Sequence, residues 1–151
     1  MSDTWNYRLA AYLLDPHKRR VLLMKSEEQP YAGKLLPFQW PLPTNAPPQQ
    51  VIQDFFKSTF KVDIEFIFHD TSIPSVLDVD TVQTVAPFFT QVINIGQGTP
   101  VIEFVYLAFT KVLFKIEEQY HSWCHVEDLV GKVAPRYVKQ TVKHIIHINN
   151  K

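Results

Sequence analysis

The sequence predicts an α/β fold built from a β-sheet and two amphipathic helices. Three observations carry this. Arg8 to Lys25 reads as a β-hairpin. Pro48 to Phe60 reads as an amphipathic helix. The stretch after it holds the longest β-rich runs of the chain and closes on a second amphipathic helix, Pro135 to Ile148.

In chain order, Tyr7 to Leu14 and Arg20 to Met24 are strand-like, and Asp15-Pro16-His17-Lys18 supplies the turn chemistry between them. Ser26 to Lys34 is polar, holds Pro30 and Gly33, and is expected to be a loop. Leu35 to Leu42 is apolar but broken by prolines, which suits an irregular or edge strand. In the helix that follows, a proline at the first turn costs no donor. Val51, Ile52, Phe55, Phe56 and Phe60 recur at helical spacing, with Gln49, Gln50, Gln53, Asp54 and Lys57 on the other side. Val62 to Phe68 is a strand, and His69 to Thr81 is a connection carrying Pro74, Asp78 and Asp80. Val82 to Ile95 and Val101 to Leu113 are rich in Val, Ile, Phe and Thr, and Gly96 to Pro100 joins them as an antiparallel pair. A loop with Trp123 and Glu127-Asp128-Leu129 leads to the last helix, whose apolar positions are Val138, Val142, Ile145 and Ile146.

Composition narrows the function classes. The 151 residues suit one domain, read as spanning residues 1–151. A hydrophobic content of 46% supports a core and excludes disorder. Formal charge is zero, so nothing steers the chain toward nucleic acid or an anionic membrane surface. Cys124 is the single cysteine, so no internal disulfide forms, and a reducing, cytoplasmic setting is expected. No apolar run reaches the roughly 18 residues that span a bilayer, and Met1 to Thr4 lacks the basic-then-apolar form of a signal peptide.

The segment Leu42-Pro43-Thr44-Asn45-Ala46-Pro47-Pro48 through Val62, entered from Trp40-Pro41, resembles a MutT/Nudix domain in layout. In that family a strand ending in Leu-Pro-Gly-Gly leads into a glutamate-bearing helix with the pattern G-x5-E-x7-R-E-U-x-E-E-x-G-U, where U is apolar. The resemblance covers nearly the whole chain order and implies an α/β/α sandwich with a mixed sheet between the helices. Leu42-Pro43 matches the family's Leu-Pro, so Thr44 and Asn45 stand where the glycines belong. Val62 matches the last apolar position and Phe56 the earlier one. Lys61 replaces the glycine, Ser58 and Thr59 the paired glutamates, Phe55 the preceding glutamate, and Asp54 the arginine. From Asn45 to Asp54 the chain is about five residues short of the pattern, so the loop that carries the first glutamate is trimmed.

The family's glutamates hold Mg²⁺, a hard cation that takes carboxylate, phosphate and water oxygens. This helix offers only Asp54. The resemblance therefore implies a Nudix-like protein with a degenerate box: a pseudoenzyme that binds a small nucleotide-like ligand or a protein partner, with no cofactor. The alternative is a divergent Nudix hydrolase that cleaves a nucleoside diphosphate linked to another moiety. It would need Mg²⁺ or Mn²⁺, with Asp54 and Glu103 as the candidate metal ligands. A homodimer is left open.

Tyr31, Phe38 and Trp40 lie before the box, where such domains stack a flat group, and are the candidate ligand-binding residues. They equally suit a core segment. Glu103 sits on a strand face with Val101, Val105 and Leu107, so its carboxylate needs a partner: a ligand or metal, an edge position in water, or a lysine or arginine. His121, Cys124 and His125 are close in sequence but lack the second ligand pair of a zinc site. Gly96-x-Gly98 joins two strands with no helix after it, so it is no phosphate loop. His144 and His147, with Arg136, Lys139 and Lys143, read as a solvated helix surface.

Overall fold

The structure, a computed structural model, describes residues 6–28, 31–43, 45–67, 87–94, 99–131 and 134–149. Its elements are β1 (Asn6–Leu14), β2 (Arg20–Lys25), β3 (Leu35–Leu36), β4 (Phe38–Pro41), α1 (Pro48–Phe60), β5 (Ile64–Ile67), β6 (Phe89–Ile93), β7 (Val101–Thr110), β8 (His121–His125), a 3-10 turn (Val126–Gly131) and α2 (Arg136–Asn149).

All strands join one mixed sheet built around β1 and β7. These two run parallel along their length, from Asn6 beside Val101 to Leu14 beside Phe109. The other edge of β1 is shared. Arg8 to Ala11 pair with β4, and Leu13 and Leu14 pair with β2, both antiparallel. The other edge of β7 is shared in the same way, with β6 against Val101–Val105 and β5 against Leu107–Thr110. Strand β2 also carries β3 and β8.

Helices cover both faces, which explains why Leu9 to Leu14 is unbroken by polar residues. The period of two sorts the strand residues between two cores. Leu9, Ala11, Leu13, Tyr106 and Ala108 pack with Ile52 and Phe56 of α1. Ala10, Tyr12, Leu14, Val105 and Leu107 pack with Val138, Val142 and Ile145 of α2. Within the described residues no helix is long and apolar enough to cross a membrane.

Local chemistry sets the element ends. At the β1–β2 turn the buried Asp15 carboxylate accepts the amides of Arg19 and Arg20 at 2.8 and 3.1 Å and the Arg20 Nε at 3.1 Å. Burial alone would raise its pKa, but these donors outweigh it and hold it below the usual 3.8. Helix α1 starts at Pro47-Pro48 with no side-chain cap, and it stops at Lys61. Lys61 turns into the left-handed region at φ 60°, and its amide closes on the Lys57 carbonyl.

Two expectations change. Trp123 lies in strand β8, not in a loop, and His121 to His125 pair with β2 from Met24 back to Arg20. The segment has little apolar alternation, so its backbone pairing leaves no clear mark in the sequence. Strand β7 ends at Thr110, short of Leu113. The Thr110 hydroxyl accepts the Val112 amide and donates to its carbonyl, folding the chain away and leaving Val112 and Leu113 exposed. The irregular or edge strand expected at Leu35 to Leu42 is present as two short strands on different partners, split at Pro37, which has no amide to give. Of the strand expected at Val82 to Ile95, residues 82–86 and 95 lie outside the described residues, and β6 covers Phe89–Ile93. Thr44, the connection with Asp78 and Asp80, and the Gly96–Gly98 turn lie outside the described residues.

Lys61 adopts a backbone conformation that suits glycine, which pays no Cβ penalty there. Lys61→Gly is expected to stabilise the fold by roughly 0.5–1 kcal/mol in urea unfolding, despite losing the Lys61 Nζ to Ser58 carbonyl contact. A destabilised variant would show that this contact outweighs the backbone strain.

Candidate functional site

The face beneath α1 is aromatic. Phe38, only 3% exposed, sits at the centre, with ring centroids of Trp40, Phe55, Phe56, Phe60 and His121 at 6.5, 5.2, 5.1, 6.0 and 5.7 Å. Phe60 continues to Phe114 at 5.0 Å, and Phe114 to Trp123 at 5.5 Å. Edge and offset contacts of this kind add about 0.5–1.5 kcal/mol per pair beyond area burial.

The helix that carries these rings offers few oxygen ligands. Phe55 is committed to the cluster, 5.2 Å and edge-on to Trp40. Ser58 and Thr59 are exposed, and the Ser58 hydroxyl donates to the Phe55 carbonyl at 3.2 Å. Asp54, also exposed, accepts the Gln50 side-chain amide at 2.8 Å.

Glu103 lies on the opposite face and is fully buried. It is the register partner of Arg8, whose Nε donates to Oε2 at 2.8 Å. Gln91 Nε2 donates to the other carboxylate oxygen at 2.9 Å and reaches the Thr141 hydroxyl at 3.0 Å. Arg8 Nη2 and Gln39 Nε2 both donate to the Tyr137 hydroxyl, at 3.2 and 3.0 Å. Burial pushes the Tyr137 phenol up to about 12. This network ties β1, β4, β6 and β7 to α2. Sequence reading singles out Glu103 but misses Arg8, Gln91, Tyr137 and Thr141. The one available signal is Arg8, a cation in a strand with the same parity as Tyr12.

The candidate residues therefore separate. Asp54 and Glu103 lie on opposite sides of the sheet and cannot share an ion, so this pair does not fit Mg²⁺ or Mn²⁺. Glu103 takes the salt-bridge alternative, on a central strand, not an edge. Tyr31, Phe38 and Trp40 do not form one surface. Phe38 is a core ring, and Tyr31 lies on the α2 side, 5.9 Å and edge-on to Tyr137. Trp40 alone of the three is a partly buried ring at the margin of the α1 cluster. Alternation along β8 parts the other trio. His121 joins the α1-side rings, Cys124 is buried under α2, and His125 is exposed. Among the described residues no three His, Cys, Asp or Glu side chains come close enough to hold a metal ion.

Solved structures share this arrangement of strands and helices. The MutT protein from Methanosarcina mazei Go1 matches with a TM-score of 0.66 at 13% identity, over 100% of this chain and 99% of that one. A NUDIX-family hydrolase from Clostridium perfringens matches with a TM-score of 0.63 at 15% identity, over 94% and 99%. The chain has the Nudix fold. The NUDIX domain of Shewanella oneidensis NrtR, solved with ADP ribose, matches with a TM-score of 0.63 at 13% identity, over 95% and 88%. No family model and no curated protein matches the sequence. In this Nudix fold α1 occupies the helix after the Leu-Pro entry. Its end, at the left-handed Lys61, falls on the residue that the sequence reading sets against the box glycine.

Two outcomes are expected. Glu103→Ala removes the buried carboxylate that accepts from Arg8 and Gln91 and should cost about 2–3 kcal/mol in urea unfolding. Asp54→Ala should stay within about 0.5 kcal/mol of wild type. A cost below about 1 kcal/mol for Glu103→Ala would contradict a structural role for this network. The second outcome concerns His121. Burial holds its imidazole below the ordinary 6.5, with Glu117 opposing. The unfolded chain then takes the proton first as pH falls, so stability is full above about pH 6.5 and is lost as pH falls toward the folded value. His121→Phe should flatten that loss when denaturant midpoints are compared from about pH 8 to about pH 5. Parallel curves for the two proteins would contradict it.

Proposed function

We propose that this Nudix-fold protein is a non-catalytic binding module that holds a nucleotide-like ligand at the margin of the α1 aromatic cluster. One observation carries the reading. The frame of the box is kept, while the positions aligned with its glutamates hold an aromatic ring packed against Trp40 and two exposed hydroxyls. Hydrolysis of a diphosphate with metal help needs charge neutralisation and a bound hydroxide. Asp54 alone, already accepting a hydrogen bond, does not make such a site. The alternative, a divergent hydrolase, needs carboxylates outside the helix, and among the described residues no three His, Cys, Asp or Glu side chains are grouped to hold a metal ion.

The proposed surface is Trp40 with Phe55. Both rings are partly buried, so each keeps a free part while its other side is fixed by the cluster. A flat heterocycle can stack there without metal. ADP ribose, the ligand of the Shewanella oneidensis NrtR domain, is the first compound to try.

A thermal-shift series with ADP ribose, dinucleoside polyphosphates and nucleotide sugars should show stabilisation that is unchanged by EDTA. Turnover near 1 s⁻¹ that depends on Mg²⁺ or Mn²⁺ would overturn the proposal. Trp40→Ala should weaken the best ligand by about ten- to a hundredfold, as loss of a base stack costs about 1–3 kcal/mol. If the variant melts lower but binds as wild type does, the stacking surface is wrong.

A further inference from the structure

A second site lies on the other face of the sheet. A groove of about 910 Å³ runs between the β1–β2 turn, the end of β8 and the later turns of α2. Its rim is cationic: Lys18 and Arg19 come from the turn and Lys143 from α2, with His17 and His125 beside them. Glu127 is the one carboxylate on the lining. Asp15, the nearest acid in sequence, is buried and bound to Arg20, so it does not neutralise the rim.

Among the described residues the side chains of Arg19, Lys143, His17 and His125 make no ion pair, hydrogen bond or ring contact. Lys18 lies 4.6 Å over the Phe109 ring, a contact that leaves its charge uncompensated. Three cations and one carboxylate give the rim a net positive charge that an anion in the groove would offset. The chain is neutral as a whole, so the asymmetry is local.

The floor is aliphatic. Val126 and Ile146 are partly buried and accessible, with Leu14, Val21 and Ile145 buried around them. Tyr12, the one phenol ring in the lining, has no exposed surface, and the other rings there are the imidazoles of His17 and His125. The volume falls within the range of about 300–1,000 Å³ that holds small organic ligands.

We propose that this groove binds an amphipathic anion, an alkyl chain ending in a carboxylate or a phosphate. The head pairs with Lys18, Arg19 and Lys143, and the chain covers Val126 and Ile146. The site is separate from the Trp40–Phe55 surface and does not depend on it.

The test is an amide-resolved NMR titration of the full chain with decanoate and decyl phosphate below their micelle concentrations. Acetate, inorganic phosphate and decyltrimethylammonium serve as the head-only and charge-reversed probes. Vesicles of anionic phospholipid, read by co-sedimentation, distinguish a membrane source from a free amphiphile. The expected result is saturable shifts at residues 17–19, 125–126 and 142–146 with the two alkyl anions. Arg19→Glu with Lys143→Glu should weaken them by about tenfold or more. Lys143→Glu alone, at an exposed helix position, serves if the double variant fails its circular-dichroism melt. Vesicle binding that is lost in the same variants assigns the head group to lipid, and its absence beside binding of free amphiphile assigns it to a soluble molecule. Equal affinity for inorganic phosphate, equal binding of the cationic amphiphile, retention of affinity in the reversed variants, or no saturable shift in the groove would each overturn the proposal.

Discussion

The parallel pairing of β1 and β7 is the constraint on which the rest of the structure depends. It joins strands far apart in sequence, and its two outer edges are each divided between two antiparallel partners. Both faces of the pair are buried, so polar groups on it must be satisfied internally. Glu103 meets this requirement through its register partner Arg8 and through Gln91. The same hydrogen bonds tie α2 to the sheet through Tyr137 and Thr141. A carboxylate that sequence alone leaves open to a metal reading is thereby used up in holding two layers together.

The α1 side shows the complementary solution. A helix in this place can face its sheet with carboxylates or with apolar surface. Phe55 gives the second outcome: its ring fills space against Phe38, Phe56 and Trp40, where a charged group would need ligands or water. The cluster extends through Phe60, His121 and Phe114 toward Trp123, so the helix is anchored to both β4 and β8. Under the proposed function, this packing serves binding by fixing one side of the Trp40 and Phe55 rings.

Much of this is legible in the sequence, and the limits have physical causes. Helices α1 and α2 are readable from spacing of 3.6, and α1 begins and ends within the expected residues because proline and a left-handed residue punctuate it. The β1–β2 hairpin follows from Asp15 and the turn residues beside it. The Nudix layout follows from the order of elements and the Leu42-Pro43 entry. Strand β8 escapes sequence reading because its pairing to β2 is made by backbone groups that carry no sequence code. The sequence does not show that Tyr31 parts from Phe38 and Trp40, because linear spacing does not say on which face of the sheet each ring falls. The Glu103 partners are hidden because Arg8 is distant in sequence and becomes a neighbour only through the parallel register.

The central proposal is that α1 keeps the place of the Nudix helix without holding its metal. Paramagnetic broadening by Mn²⁺ tests this on the resting protein, without any substrate. Amide resonances of residues 54–62 should broaden no more than those of other exposed segments as Mn²⁺ is raised into the millimolar range. Selective, saturable broadening centred on Asp54, Ser58 and Thr59 at micromolar Mn²⁺ would contradict the account.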